Sequence, residues 1–508
     1  MMAYLDRDGI PVFSEVSGGQ AGNPRASGPY IPTKSTSMSI VSGRRRQGFR
    51  AIEKGGRSGM MTTAAGADRP ATDVGTVRRE ARSWIDRHFD PAMPLHSWLE
   101  VLTDSGWAAP TWPAAWYGKV LTADLASAAA EEFASVGAPG PPAGLGVMLA
   151  APTVIVHGTD ELKRRLVRAV LTGDHAWCQL FSEPGAGSDL ASLTTHAERD
   201  GDDFVIDGQK VWTSAAQIAD YGMLLARTDS GAPKHRGITY FALRMDQPGV
   251  EIRPLRQMTG DSLFTEVFLS GARVPASDVI GEINGGWAVA LTTLAHERTG
   301  LGARAGTRFA VAAPGGSRFR AQREAPVGAY VAEAQRIAPG WVSSGASGAA
   351  MIGAGAAPLI QLAIGLRRDH DPLVRQQLAQ LHTLCQLNSW NGVRSRAGSQ
   401  AGSHPGAEAS IGKLMASQIA RLWRDTASEI TGPLGMLEGP AGPLAGAVAA
   451  QSLAAPGPAI YGGSDQIQRS VIGERVLGLP KEPDMSKDVP FRDLRIGTLP
   501  RSGGQLSS

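Results

Sequence analysis

The texture of this chain changes twice along its length, and that double change limits its possible folds more than any other feature. From Val77 the apolar and aromatic residues fall at helical spacing: Val77, Ala81, Trp84, Ile85, His88 and Phe89. Trp98, Leu99 and Leu102 repeat the pattern, and Gly106 reads as a helix stop. Residues 124–133 and 161–171 read as further helices. The period then turns over. Runs around Ala197 and at 204–206 flank Asp200-Gly201, a hairpin signal, and 221–226, 238–243 and 266–269 are further β-rich runs bounded by Gly, Pro and Asp. After Gly286 the helical period returns. Trp287, Ala290, Leu291, Leu294 and Ala295 form one stripe, and residues 373–387, 408–430 and 471–477 predict three more helices.

This order predicts an α+β multidomain chain: an α-helical domain at 71–176, a compact β domain at 177–281 and a second α-helical domain at 282–485. Within the last, residues 303–358 are Gly/Ala-rich and irregular where a long packed helix is expected. Residues 486–508 read as a tail. Residues 1–70 are rich in Ser, Gly and Arg without apolar period and read as a disordered extension, with Met60-Met61 as an alternative start.

Composition removes several functional classes. With 42% hydrophobic residues the chain has enough apolar material for a core. Fifty basic residues against 47 acidic ones leave a charge of +3, with no footprint for a nucleic-acid partner. Two cysteines, Cys178 and Cys385, support neither a disulfide framework nor a Cys-rich zinc site, and no HExxH or paired CxxC occurs. No metal is expected, and a reducing, cytoplasmic location is the default. The best membrane-span candidate, residues 345–366, is uncharged but mostly Gly and Ala with Pro358 and Gln361 inside, so no span is expected. No basic-then-apolar leader marks a secretory signal.

Three segments carry chemistry. Phe181-Ser182-Glu183-Pro184-Gly185-Ala186-Gly187-Ser188-Asp189 combines glycines that admit close approach of backbone N–H groups with two hydroxyl donors. Alone it reads equally as an ordinary turn. Gly208-Gln209-Lys210-Val211-Trp212-Thr213-Ser214 sets an aromatic among hydroxyls, either a core Trp or a ring that stacks on a planar cofactor. Ile460-Tyr461-Gly462-Gly463-Ser464-Asp465-Gln466 places two glycines before polar residues at a helix start. A dinucleotide-type GxGxxA at 300–305 follows a helix rather than a strand and fails its context.

Together, in this order and spacing, the three segments resemble the acyl-CoA dehydrogenase family of flavoproteins, over about 98–298 and 373–483. The resemblance implies a helical N-terminal domain, a middle β-sandwich or barrel-like domain and a C-terminal four-helix bundle that clamp FAD. It implies oxidation of an acyl-CoA across its Cα–Cβ bond, as in fatty acid β-oxidation, with an electron-transfer flavoprotein as acceptor and a homo- or hetero-oligomer as the assembly. Carried over by position, Phe181, Ser182, Gly187, Ser188, Trp212, Thr213, Ser214, Ser464 and Gln466 are implied to hold FAD, and Ser188, Arg298 and Gly462 to meet the substrate. Many members carry the α-proton base directly after the Tyr of the last segment, where this chain has Gly462. In an isovaleryl- and long-chain-like subset the base lies on the first helix of the C-terminal domain, a position occupied here by Glu297; a salt-bridged surface Glu beside Arg298 is the plainer alternative. The family's Arg-x-x-Phe-Gly segment is not recognisable, and Arg375 and Gln377, before the second helix of that domain, are taken as its stand-ins. Gly300 and Gly302 are expected to fray the helix past Glu297. These departures leave open an impaired subunit of a hetero-oligomer, or a flavin monooxygenase on the same scaffold.

Overall fold

The computed structural model describes residues 2–5, 11–14, 73–302, 310–311, 317–337, 355–400, 408–484 and 487–494. Residues 1–68 form a unit of their own. Its described part is an antiparallel pair, β1 (Met2–Leu5) and β2 (Pro11–Ser14), with Met2 opposite Ser14. The reading of 1–70 as wholly disordered is corrected at this hairpin; Met60-Met61 lies outside the described residues.

The second unit opens with helices. In α1 (Val74–His88) the Asp73 side chain accepts from Thr76 N–H at 2.7 Å, a side-chain N-cap, and Val77, Ala81 and Ile85 are buried. In α2 (Leu95–Asp104), Leu95, Trp98, Leu99 and Leu102 are buried, and the Trp98 indole N–H donates to Pro139 O at 2.9 Å. After α3 (Ala123–Ser135), β3 (Gly140–Pro142) and α4 (Ala151–His157) comes α5 (Asp160–Thr172), capped by Thr159 and ended by Gly173 in the left-handed region at φ +81°.

The middle domain is one seven-stranded sheet: β4 (Trp177–Leu180), β5 (His196–Asp200), β6 (Asp203–Ser214), β7 (Tyr221–Arg227), β8 (Ile238–Arg244), β9 (Val250–Leu255) and β10 (Phe264–Pro275). The order is β4-β7-β5-β6-β10-β9, with β8 also paired to β7. The expected hairpin is present, with Asp200 opposite Asp203 and Gly201 at φ +63°. The sheet curls round a core that brings Leu180, Phe204, Phe241 and Val267 together.

The C-terminal domain begins with α6 (Gly286–Gly302), which stays helical through both glycines that were expected to fray it. The prediction that 303–358 is irregular fails at 317–337. There α7 (Ser317–Gln322) and α8 (Val327–Ile337) leave the C-terminal domain and complete the first one. Phe319, Val327 and Tyr330 are buried in one cluster with Leu95, Trp98 and Leu171. Leu95 and His96, at the start of α2, donate their N–H groups to Ala325 O and Arg323 O, both at 3.0 Å. These are helix-start donors with no partner inside the helix. A side chain at Gly173 would put its Cβ 2.4 Å from the Phe319 ring, so only glycine admits this contact.

After β11 (Ala310–Val311), which pairs with β3, and these two helices, the chain returns through α9 (Ala357–Gly365), α10 (Pro372–Gln400), α11 (Ala409–Thr431), α12 (Ala447–Ala454) and α13 (Asp465–Val471). A core of Leu359, Val374, Leu381, Trp423 and Ile430 joins α9, α10 and α11. The last helix starts at Asp465 rather than the expected Val471, because Ser464 caps it. Among the described residues no helix is long and apolar enough to cross a membrane.

The C-terminal stretch is more than a tail. Phe491 is buried against the Arg227 guanidinium, 3.3 Å from the ring centroid, and Phe491 N–H and Arg492 N–H donate to Ala232 O and Ser230 O. Residues 487–494 thus strap back onto the middle domain.

Candidate functional site

Strand β4 leads directly into the 181–188 loop. Glu183 and Ala186 exchange backbone hydrogen bonds across Pro184-Gly185, and Val211 N–H donates to Ser182 O at 2.9 Å, docking the loop onto β6. A buried charge pair fixes this arrangement. Lys210, fully enclosed, donates to Glu183 Oε1 at 2.9 Å and to Phe181 O at 3.1 Å. Glu183 also accepts from Thr194 N–H, Thr194 Oγ1 and Thr195 N–H, at 2.7, 2.8 and 2.9 Å. Burial would raise its pKa, but the Lys210 charge and these hydrogen bonds prevail and hold it down at about 2. The hydroxyls of Ser182 and Ser188 ride on this scaffold, with Gly187 and Ser188 exposed and Phe181 buried edge-on against Tyr240 at 5.8 Å.

Trp212 is not a core residue: it is 57% exposed. The cause is a bulge. Thr213 faces Thr265 and Lys210 faces Val267, so two residues of β6 oppose Glu266 alone. Trp212 takes φ +60° there, and its ring is turned outward, edge-on to Phe264 at 5.9 Å. A left-handed tryptophan is strained by roughly 1–3 kcal/mol, the kind of feature that persists at functional sites. Thr213 points the other way. It is fully buried, with a hydroxyl that lacks a hydrogen-bond partner, while its carbonyl accepts from Thr265 Oγ1 at 3.0 Å. Its side chain therefore stands apart from the exposed face of Trp212. Ser214, half-buried, ends the strand.

Glu297 lies on α6, facing β4: Gln179 Nε2 donates to Glu297 Oε2 at 3.4 Å. The side chain of Arg298 lies outside the described residues. The charge of Lys413, on α11, also acts on Glu297. Lys413 is itself buried and donates to Pro458 O at 2.6 Å and Gly463 O at 2.5 Å. One and two turns along α11, Ser417 and Arg421 hold Asp465 at 2.6 and 3.0 Å. This face of α11 pins the turn containing Gly462 (φ +63°) and the start of α13, where Ser464 accepts from Ile467 N–H and Gln466 is exposed. Successive contacts therefore tie the 181–188 loop, the end of β6, Glu297 and the 460–466 turn into one neighbourhood.

Arg375 and Gln377 lie within α10, not before it. Arg375 is exposed with a local hydrogen bond to Asp369 O, and Gln377 has a buried Oε1 without a partner. Sequence reasoning missed Gln179, Lys413 and the role of the Glu183–Lys210 pair. A lysine inside a strand, beside apolar Val211, was the available signal for the last.

The donor set fits a flavin: an outward aromatic face, hydroxyls at 182, 188 and 214, and a backbone loop held open by an ion pair. Comparisons with known proteins show the family. Models described as acyl-CoA dehydrogenase N-terminal, middle and C-terminal domains match residues 75–174, 178–270 and 346–477. Acyl-CoA dehydrogenase FadE34 of Mycobacterium tuberculosis is 50% identical over 210 residues, 41% of this chain and 29% of FadE34. Among solved structures, the Tcur3481-Tcur3483 steroid ACAD is 28% identical with a TM-score of 0.57, covering 82% of this chain and 99% of its own. A chain of the ChsE4-ChsE5 complex from Mycobacterium tuberculosis is 27% identical with a TM-score of 0.55, covering 82% and 100%. Acyl-CoA dehydrogenase IpdE1 of Mycobacterium tuberculosis is 34% identical over 434 residues, 81% of this chain and 99% of IpdE1. With all three domains matched and a full-length relative at that identity, the chain belongs to the acyl-CoA dehydrogenase family.

Proposed function

We propose that the chain is an FAD-dependent dehydrogenase of acyl-CoA thioesters, with Glu297 as the base. The observation that carries this reading is the placement of the Glu297 carboxylate against Gln179 of β4, two residues before the 181–188 loop. Phe181, Ser182, Gly187, Ser188, Trp212, Thr213 and Ser214 are the proposed contacts to FAD, with Ser464 and Gln466 at its far end and Arg375 at a neighbouring subunit's. FAD supplies the acceptor for the β-hydrogen, which leaves as hydride. Glu297 takes the α proton as the Cα–H bond breaks, so that an α,β-unsaturated thioester remains. An α proton of a thioester is weakly acidic, so the carbonyl must be polarised; the Gly462 N–H is the proposed donor. Ser188 and Arg298 are the proposed substrate contacts. An electron-transfer flavoprotein is the proposed electron acceptor.

The test is direct. The purified chain is reconstituted with FAD, and its yellow absorption is followed anaerobically with butyryl-CoA, octanoyl-CoA and a steroid-carboxyl CoA thioester. Glu297→Gln should keep the flavin and lose about 10²–10⁴ of the reduction rate. Parent-like reduction by that variant would end the assignment, and a chain that takes up no flavin would end the whole reading.

A second reading has its own support. The chain between α6 and α9 is diverted onto the N-terminal domain at 317–337, and two similar structures are named as pairs, Tcur3481-Tcur3483 and ChsE4-ChsE5. A subunit that works only beside a different partner would bind flavin alone yet be reduced by acyl-CoA only in a mixed oligomer.

A further inference from the structure

Strand β4 carries a single polar side chain. Alternation puts Trp177, Gln179 and Phe181 on one face and Cys178 and Leu180 on the other. Cys178 and Leu180 enter the sheet core, whereas Trp177 and Phe181 join the core shared with Val289 and Ala290 of α6. Gln179 therefore interrupts an apolar face. An amide in such a place is unfavourable unless its hydrogen bonds are met. Its donor goes to Glu297 Oε2.

Helix α6 is held by other means. One turn before Glu297, the Thr293 hydroxyl bonds to Thr153 Oγ1 at 3.0 Å and Tyr240 Oη at 3.1 Å, and Thr292 bonds to His157 Nε2 at 2.8 Å. The backbone beneath Glu297 is thus fixed from two domains, and the adjustable part is the carboxylate itself. The charge of Lys413 on α11 bears on it; His296, next to it in sequence, is an imidazole whose pKa burial lowers. A neutral amide differs from both. It fixes an oxygen and steadies the negative charge without neutralising it, as a base that must still accept a proton requires.

We propose that Gln179 is a positioning residue for Glu297, its amide N–H holding the carboxylate against β4 and favouring the ionised form. The proposal rests on the reading of Glu297 as the base, and its test separates the two. The FAD-reconstituted chain is prepared as Gln179→Leu, which lacks a donor; Gln179→Glu, which is isosteric but brings a like charge; and Gln179→His, which keeps a donor. The Glu297 carboxyl is titrated by infrared difference spectroscopy, its band defined by subtraction of Glu297→Gln. Its midpoint should move up by about one pH unit in Gln179→Leu and further in Gln179→Glu, and stay near the parent in Gln179→His. With butyryl-CoA or octanoyl-CoA the acid limb of flavin reduction should move the same way, about a tenfold loss of rate on that limb, at unchanged flavin content. A Glu297 midpoint at the parent's pH in both Gln179→Leu and Gln179→Glu overturns the proposal. Parent-like flavin reduction by Glu297→Gln overturns the base reading instead, whatever the titration shows. If Gln179→Leu does not fold, the isosteric Gln179→Glu carries the same titration.

Discussion

Glu183 and Lys210 are enclosed together, and two buried charges are tolerable only when their hydrogen bonds are complete. Lys210→Met keeps the aliphatic stem but strands the carboxylate. It should lower stability by about 3–5 kcal/mol in urea unfolding and release flavin, because the 181–188 loop loses its anchor. The pair also sets an acid sensitivity. The Glu183 pKa is depressed from its ordinary 4.5 to about 2 in the folded chain, so its stabilisation is full above about 4.5 and is lost as pH falls toward 2. Melting temperature measured between pH 6 and 2.5 should fall more steeply for the parent than for Lys210→Met. At Gly462 the backbone bears on a different experiment. Moving the base, as Glu297→Gly with Gly462→Glu, meets φ +63°, a region that penalises a side chain by about 1–2 kcal/mol. The double variant should regain part of the flavin-reduction rate lost in Glu297→Gly and melt below the parent.

At the scale of elements, α11 works as a rail. Lys413, Ser417 and Arg421 recur at one-turn spacing and grip the 458–465 turn. Lys413→Met removes two charge-assisted bonds to carbonyls. It should weaken flavin retention on dialysis and cost about 2 kcal/mol, with α11 itself unchanged by circular dichroism. The elements that were legible in the sequence share one property: their own period shows the buried face. This holds for α1, α2, α5 and α11, and for the β5–β6 hairpin. β4 has four residues, pairs in parallel and turns both faces to apolar cores, so no polar–apolar pattern marks it in the sequence, and β9 carries Glu251, Arg253 and Pro254 on an edge. Residues 317–337 were illegible because their few apolar residues match a surface far away in sequence. In the site, the glycine- and hydroxyl-rich segments announce themselves by composition. Gln179, Lys413 and the bulge at Trp212 acquire meaning only from partners on other elements.

For the whole molecule, the strap at 487–494 ties the end of the described chain to the middle domain. Arg227, against which Phe491 lies, donates to Ala191 O at 2.7 Å and Leu193 O at 3.2 Å, just beyond the 181–188 loop. Deleting residues 485–508 should lower the melting temperature and speed proteolytic cleavage near 185–195, with the acyl-CoA absent. Unchanged cleavage would show that Arg227 holds the loop unaided.

The borrowing of Phe319, Val327 and Tyr330 by the first domain has a temporal side. A chain leaves the ribosome at about 5–20 residues per second. Leu95 and His96 must therefore wait, on the order of tens of seconds, for Arg323 and Ala325 to appear. Until then the apolar flank around Leu95 and Leu171 lacks the cover of Phe319, Val327 and Tyr330, while the whole middle sheet is synthesised and closes. The nascent first domain is thus a ready client for a holding chaperone, and translation arrested anywhere between the end of α6 and α8 would leave a product with a folded centre and a sticky head.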